Sequence, residues 1–186
     1  MHTWLAVKDI DAPEYEIYEV LGWRGWRGAS VVSKSRRTPD TYWYGSRPWL
    51  LLDVRGDEAS RLIPSIRSAV NEYPFADRYE IWPGPNSNTF TAFIVRSVEG
   101  LNVQLPVTAV GKDYLPSGVF ARTPSGSGFQ LSFHGVFGIT LALDEGLEFN
   151  LLGLSFGIDF LHPALKLPGI GRIGFASITI APTPAA

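Results

Sequence analysis

The sequence predicts an α+β protein: a small antiparallel sheet with two helices, followed by a glycine-rich β-meander. Three observations lead there. Residues 1–100 hold strand-like runs together with two stretches of helical periodicity. Beyond them, apolar and polar residues alternate at period two between turn signals. Composition shifts at the same place: all six tryptophans and 12 of 16 Lys/Arg lie in the first hundred residues, and 12 of 19 glycines lie after them. No Ser/Gly linker divides the halves, so 1–100 and 101–186 are expected to be two lobes of one structural unit.

In the first lobe, His2–Lys8 and Tyr15–Trp23 read as strands, and Ala29–Ser33 is expected to pair back on the second. Gly56-Asp57-Glu58 opens a helix with Asp57 as cap. Ala59, Leu62, Ile63, Ile66 and Val70 share one face, and Pro64 is expected to kink the helix or delay its start. Tyr79–Trp82 reads as a short strand ended by Pro83-Gly84-Pro85. A second helix runs from about Ser87 to Val98, with Phe90, Phe93 and Ile94 inward and Gly100 as its stop.

In the second lobe, Phe129, Leu131 and Phe133 alternate with Gln130, Ser132 and His134. Ile139, Leu141 and Leu143 follow the same rule, and after an Asp144-Glu145-Gly146 turn so do Leu147, Phe149 and Leu151. Thr123 to Leu143 carries no formal charge. One face of this meander is therefore expected to be covered, by the first lobe as ordinary core ahead of a partner or lipid.

Composition removes several function classes. A chain of 186 residues buries roughly 70% of its unfolded surface, enough for a core without staples. With 45% hydrophobic and 18% charged residues it is not a disordered chain. The absence of cysteine excludes a disulfide scaffold, a thiolate metal site and a cysteine nucleophile. A net charge of −2 speaks against a nucleic-acid-coating protein. No apolar run reaches spanning length uninterrupted, and the start MHTWLAVKDID lacks a signal-peptide pattern. Gly169–Gly174 spells G-x-G-x-x-G, but no room follows for the βαβ unit a dinucleotide site needs, so it reads as a loop. No cofactor is expected. The three histidines, His2, His134 and His162, lack metal-ligand spacing, so no metal is expected.

The chemistry concentrates in Trp82-Pro83-Gly84-Pro85-Asn86-Ser87-Asn88-Thr89-Phe90. A rigid turn delivers Ser87 to the first turn of a helix, where unpaired N–H groups favour negative charge. A nucleophile needs that environment, and Asn86 and Asn88 flank it with amide donors. The structural alternative is that Ser87 or Asn88 simply caps the helix. A second cluster, Trp23-Arg24-Gly25-Trp26-Arg27-Gly28, opens a stretch to Pro48 with six Lys/Arg against Asp40 alone. Its tryptophans and tyrosines have the chemistry to stack on bases or headgroups. Residues 9–19, with five carboxylates and no base, are expected to compensate it across a hairpin, so nucleic acid is not the expected partner.

The segments His2–Lys8, Tyr18–Trp23, Pro39–Gly45, Trp82–Phe90, Gly111–Leu115 and Lys166–Gly174 resemble an uncharacterised bacterial family recorded only as a domain of unknown function. The resemblance runs from His2 to about Gly174 and implies no activity; relatives with an additional, sometimes hydrophobic, N-terminal stretch raise an envelope location beside the cytoplasmic one the chain itself suggests. Over residues 2 to 98 the order of histidine and helix start is also similar to circularly permuted papain-like proteins, the lecithin:retinol acyltransferase and desumoylating isopeptidase type. In that resemblance His2 matches the base and Ser87 stands where the cysteine stands. Glu19, in the YEV match, is the group expected to hold the imidazole, and its alternative role is an ion pair with Arg24 or Arg27. Asn86, Asn88, Trp4 and Trp82 are assigned to oxyanion or substrate binding.

Two functions follow. One is a serine-variant hydrolase or acyltransferase acting on an ester, amide or thioester of a peptide, lipid or small acyl substrate. The other is an inactive binding or assembly module that uses the same cleft and a protein partner or second copy at residues 129–154.

Overall fold

The computed structural model describes residues 1–175. Strands β1 (Leu5–Val7), β2 (Glu16–Val20) and β3 (Val32–Arg36) form an antiparallel sheet in the order β1-β2-β3. The return strand exists as expected but is displaced from Ala29–Ser33. A four-residue helix α1 (Gly22–Gly25) and the turn after it take up the intervening chain, and Trp23 falls in α1 instead of β2. Helix α2 (Gly56–Asn71) begins after Arg55, which caps nothing with its side chain; Asp57 and Glu58 lie in its first turn, where carboxylates suit the helix dipole. It runs on through Pro64 at the cost of one ladder bond.

Helix α3 (Ser87–Ser97) matches the sequence reading within a residue. Between the helices Tyr79–Trp82 is not a strand: the Glu80 N–H turns back to the Pro85 carbonyl at 2.8 Å instead of pairing with a neighbour. The core lies between the sheet and α2 and α3. Leu62, Ile63, Ile66, Ala69 and Val70 of α2 meet Val20, Val31, Phe90 and Ile94. Phe90 is fully buried, edge-on to Tyr73 with ring centres 5.0 Å apart.

The second sheet has seven strands: β4 (Phe120–Arg122), β5 (Gly128–Phe133), β6 (Phe137–Ala142), β7 (Gly146–Leu151), β8 (Leu154–Asp159), β9 (Ala164–Leu167) and β10 (Gly171–Gly174). They pair antiparallel in chain order, as a meander. Gly146 adopts φ +72° to close the turn predicted at Asp144-Glu145-Gly146. The G-x-G-x-x-G segment is not wholly a loop; Gly171–Gly174 pairs with β9 as the terminal strand.

This sheet inverts the expected packing. Its polar side faces the protein: Gln130, Ser132, Thr140, Glu148, Asn150, Ser155 and Lys166 are buried. Its apolar side, expected to be core, faces outward. One cross-strand row runs Phe120, Leu131, Ile139, Phe149 and Phe156, and another Phe133, Phe137, Leu151 and Leu154. The reason lies beneath the sheet. Residues 101–118 form an irregular segment with no strand or helix, whose backbone and charges need partners.

Lys112 Nζ lies 2.9 Å from both Asp113 Oδ1 and Glu148 Oε2, and Lys166 Nζ lies 2.8 Å from Glu148 Oε1. Ser155 and Asn150 donate to Asp113 Oδ2, and Ser132 donates to the Asp113 carbonyl. Burial opposes ionisation of Asp113, but the Lys112 ammonium and these hydrogen bonds hold its carboxyl below the usual range. Arg96 of α3 reaches the Lys112 carbonyl and Gln130; burial pushes its guanidinium down to about 10. Because Ser132 on β5 and Ser155 on β8 both bond Asp113 from three strands apart, the sheet curls around that residue, polar side concave.

Candidate functional site

The first turn of α3 is built before any chemistry is considered. Asn86 is its N-cap: Oδ1 accepts the N–H groups of Asn88 (2.9 Å) and Thr89 (3.2 Å), while Thr89 Oγ1 accepts the Asn86 N–H, completing a capping box. The Asn86 amide donates to the carbonyls of Ile81 and Val110, and Thr89 Oγ1 donates to that of Gly111. Gly111, at φ +97°, lets this segment approach: a Cβ there would collide with the Asn86 amide. The Gly111–Leu115 motif thus clamps the helix start. That explains the joint presence of two sequence motifs that lie 20 residues apart.

The segment that leads into β1, which covers only Leu5–Val7 of the strand expected over His2–Lys8, docks on the same turn. Asn88 Nδ2 donates to the Met1 carbonyl at 3.3 Å, and Thr3 Oγ1 lies 3.0 Å from Asn88 Oδ1 and 2.9 Å from Thr91 Oγ1. Residues on both sides of His2 are therefore tied to α3. His2 Nε2 lies 3.0 Å from Glu19 Oε2 on β2, and Glu19 Oε1 accepts a hydrogen bond from Arg37 at 3.2 Å. Burial opposes ionisation of Glu19, yet the hydrogen bonds from His2 and Arg37 outweigh it and hold the carboxyl below its ordinary 4.5. Across the ring, Trp43 stacks on His2 with centres 4.1 Å apart and planes 7° from parallel.

Of the predicted residues, the structure brings His2 and Glu19 into direct contact and sets Ser87 at the first position of α3. No hydrogen bond joins His2 to Ser87; among the described residues neither Ser87 Oγ nor His2 Nδ1 has a hydrogen-bond partner. The side-chain amides of Asn86 and Asn88 are both committed to carbonyls, Asn88 to Val110 as well as Met1. The donor left at the helix start is the Ser87 backbone N–H. Trp4 packs near His2, donates to the Pro39 carbonyl and carries the Arg37 guanidinium over its face. Trp82 is half-exposed on the far side, donating to the Leu152 carbonyl of the second sheet.

Glu19 pairs with Arg37, not with Arg24 or Arg27; the Arg24 guanidinium instead caps the Ser30 carbonyl. The five-carboxylate stretch is likewise met mainly from α2, where Arg67 bridges Asp9 and Glu16. Sequence reasoning missed Thr3, Arg37 and Trp43 as members of this site. The signal for Trp43 was the Pro39–Gly45 motif, and for Thr3 a lone hydroxyl beside His2 on an otherwise apolar strand. His134 sits at a tight turn with φ +51°, and the Arg172 guanidinium bonds the His162 carbonyl; neither imidazole joins the site. Among the described residues no group of His, Asp and Glu is arranged to hold a metal ion.

The site is defined by a buried carboxylate–histidine pair on a small sheet beside a serine at a capped helix start. The chain that carries it belongs to the DUF3750 family, described as a protein of unknown function, whose family model matches residues 1–114. That span holds every member of the site together with Val110 and Gly111, whose carbonyls fix the helix start, and it stops before the second sheet. No curated protein and no solved structure matches the chain.

Proposed function

We propose that the chain is an acyl-group hydrolase or transferase of permuted papain-like design, with Ser87 in the nucleophile position. Ser87 Oγ attacks the carbonyl carbon of an ester, amide or thioester as its proton passes to His2 Nδ1. The oxyanion takes the Ser87 N–H. Collapse of the intermediate expels the alcohol, amine or thiol, which leaves with the proton held by His2, and water or an acceptor then removes the acyl group from serine. Glu19 holds the ring by Nε2, which leaves Nδ1 as the nitrogen that takes the proton. The observation that carries this reading is the Glu19–His2 pair at 3.0 Å, pinned by Arg37 and by Trp43 on the ring face. A histidine serving only to pack needs no such orientation.

A fluorophosphonate probe and p-nitrophenyl esters of several acyl lengths test it. Wild type is expected to label and turn over. Ser87→Ala abolishes both, and Glu19→Gln slows them by about 10²-fold or more while the protein stays folded. Labelling that survives Ser87→Ala refutes the assignment.

One observation favours the inactive binding module instead: Ser87 is only 4% exposed. Ser87→Cys separates the two readings, because it places a single thiol in a chain that has none. A catalytic site gives iodoacetamide labelling that persists well below pH 8, from a thiolate stabilised by His2 and the helix start. A closed, inert site leaves the thiol unlabelled until the protein unfolds.

A further inference from the structure

We propose that the convex face of the seven-stranded sheet seats the chain on a lipid bilayer, dipping into one leaflet. The longest cross-strand row of that face is Phe129, Leu141, Leu147, Ile158, Leu165 and Ile173, six strands wide. With the two rows already described, which lie successively to one side of it, the face presents thirteen side chains that are each 40–65% exposed. At roughly 150–200 Å² per large apolar side chain this is on the order of 1,000 Å² of apolar surface. The largest patch on an ordinary monomer is about 300–600 Å². Such a face is not stable bare in water.

Charge and hydrogen-bonding complementarity select the occupant. A protein interface of this size carries about one hydrogen bond per 100–200 Å² and a polar rim. Here the rows offer no polar side chain except Arg122 at one corner, next to Phe129. The rims are largely apolar too, with Leu143, Phe160 and Leu161 exposed at one end beside Asp144, and Leu152 and Ile170 at the other beside His134. Hydrocarbon asks for neither donors nor register. The face is also convex, because the sheet curls around Asp113. Fluid acyl chains follow a convex surface, whereas two such sheets meet only along a line.

The same geometry excludes crossing the bilayer. Strands of six residues reach about 20 Å, while a tilted spanning strand needs about 9–11 residues. β4 and β10 are edges among the described residues, and an open edge is not tolerated in the hydrocarbon centre. The inference is independent of the Ser87 chemistry.

The cysteine-free chain makes the test direct. Bimane is attached at Leu141→Cys on the face and, as control, at Glu14→Cys on the first sheet's side, and neutral phosphatidylcholine vesicles are added. The expected result is co-sedimentation of the full chain with vesicles and a blue shift at position 141 alone. The rim pair Leu143→Ser and Ile170→Ser, at exposed turns where folding does not depend on them, is expected to weaken binding at least tenfold. A 141 label already blue-shifted without lipid, with a dimer in sedimentation velocity, assigns the face to a second copy and overturns the proposal. A monomer that ignores the vesicles overturns it equally.

Discussion

The two sheets of this chain turn opposite chemistry toward the rest of the protein. In the three-stranded sheet Val20 and Tyr18 turn toward α2 and α3, Glu19 on the other face pairs with His2 and Arg37, and Asp9 and Glu16 meet Arg67 at the periphery. In the seven-stranded sheet Glu148, Lys166 and Asn150 turn inward, and phenylalanine and leucine turn out. Period-two alternation says that a strand has two unlike faces; it does not say which one the protein covers. What lies beneath decides that. Helices present apolar stripes, whereas residues 101–118 present carbonyls, N–H groups and the Lys112–Asp113 pair.

The largest expected effect breaks the second sheet from inside. Lys112→Met leaves the carboxylates of Asp113 and Glu148 buried with less compensation, and removing one partner of such a pair costs about 3–5 kcal/mol. In the first region the counterpart is the largest fully buried side chain: Phe90→Ala is expected to cost about 3–5 kcal/mol. Urea unfolding measures both. Adding Asp113→Asn to Lys112→Met is expected to recover part of the loss, since Asp113 is the carboxylate left without its ammonium, whereas Glu148 keeps Lys166. A loss below about 1 kcal/mol for Lys112→Met would mean that the charges do not hold the curl.

Next in size is the joint between the regions. Asn86→Ala removes the N-cap and takes the side-chain donor from the Ile81 carbonyl, while Val110 keeps Asn88, so about 2 kcal/mol is expected, the upper end for a cap. The same substitution is expected to reduce any Ser87 labelling, because the helix start is no longer fixed against residues 110–111.

The sequence disclosed elements where local rules and tertiary demand agree. α3 was legible because the Pro83-Gly84-Pro85 turn, Phe90 and Gly100 supply a start, a buried face and a stop within one segment, although the cap is Asn86 and not Ser87 or Asn88. Glu19 is picked out by the YEV resemblance from among Glu16, Tyr18 and Glu19; strand parity separates it from the other two, which bond each other, but does not say which face His2 shares. Its partner Arg37 was not legible, because six basic residues lay within reach in sequence and only the β2–β3 register selects among them. Tyr79–Trp82 has the composition of a strand but no neighbour to pair with. The inverted sheet was illegible for a similar reason: nothing local to Phe129–Phe133 records that an irregular, charged segment lies on its other side.

A pH titration sharpens the contrast at intermediate size. Glu19 and Asp113 have folded values below their unfolded ones, so the stability they contribute is present above about pH 4 and lost as pH falls through those lowered values. Glu145 behaves oppositely. Burial pushes its carboxyl up despite the Ser125 hydrogen bonds, so its ionisation costs stability as pH rises from the ordinary 4.5 past the raised value. Wild-type urea midpoints are expected to fall on the acid side through the first pair and to sag above the Glu145 value. Glu145→Gln is expected to flatten that sag while leaving the acid limb in place. If it leaves the sag unchanged, another buried group is responsible.

The smallest expected effect is the one that most clearly separates the two regions. Ile66→Gln on α2 puts an amide into a packed apolar core and is expected to cost more than about 3 kcal/mol, through lost burial and an unpartnered polar group. Leu141→Gln makes the same class of change on the outer face of β6, where the side chain is 65% exposed. What it loses in water is cross-strand contact with Phe129 and Leu147, worth less than about 1 kcal/mol in urea unfolding of the free chain. A cost near that of Ile66→Gln would mean that the outer face is already covered in solution, as by a second copy. A near-silent substitution means that these rows contribute nothing to folding the chain alone, and that their apolar character serves whatever the sheet rests on.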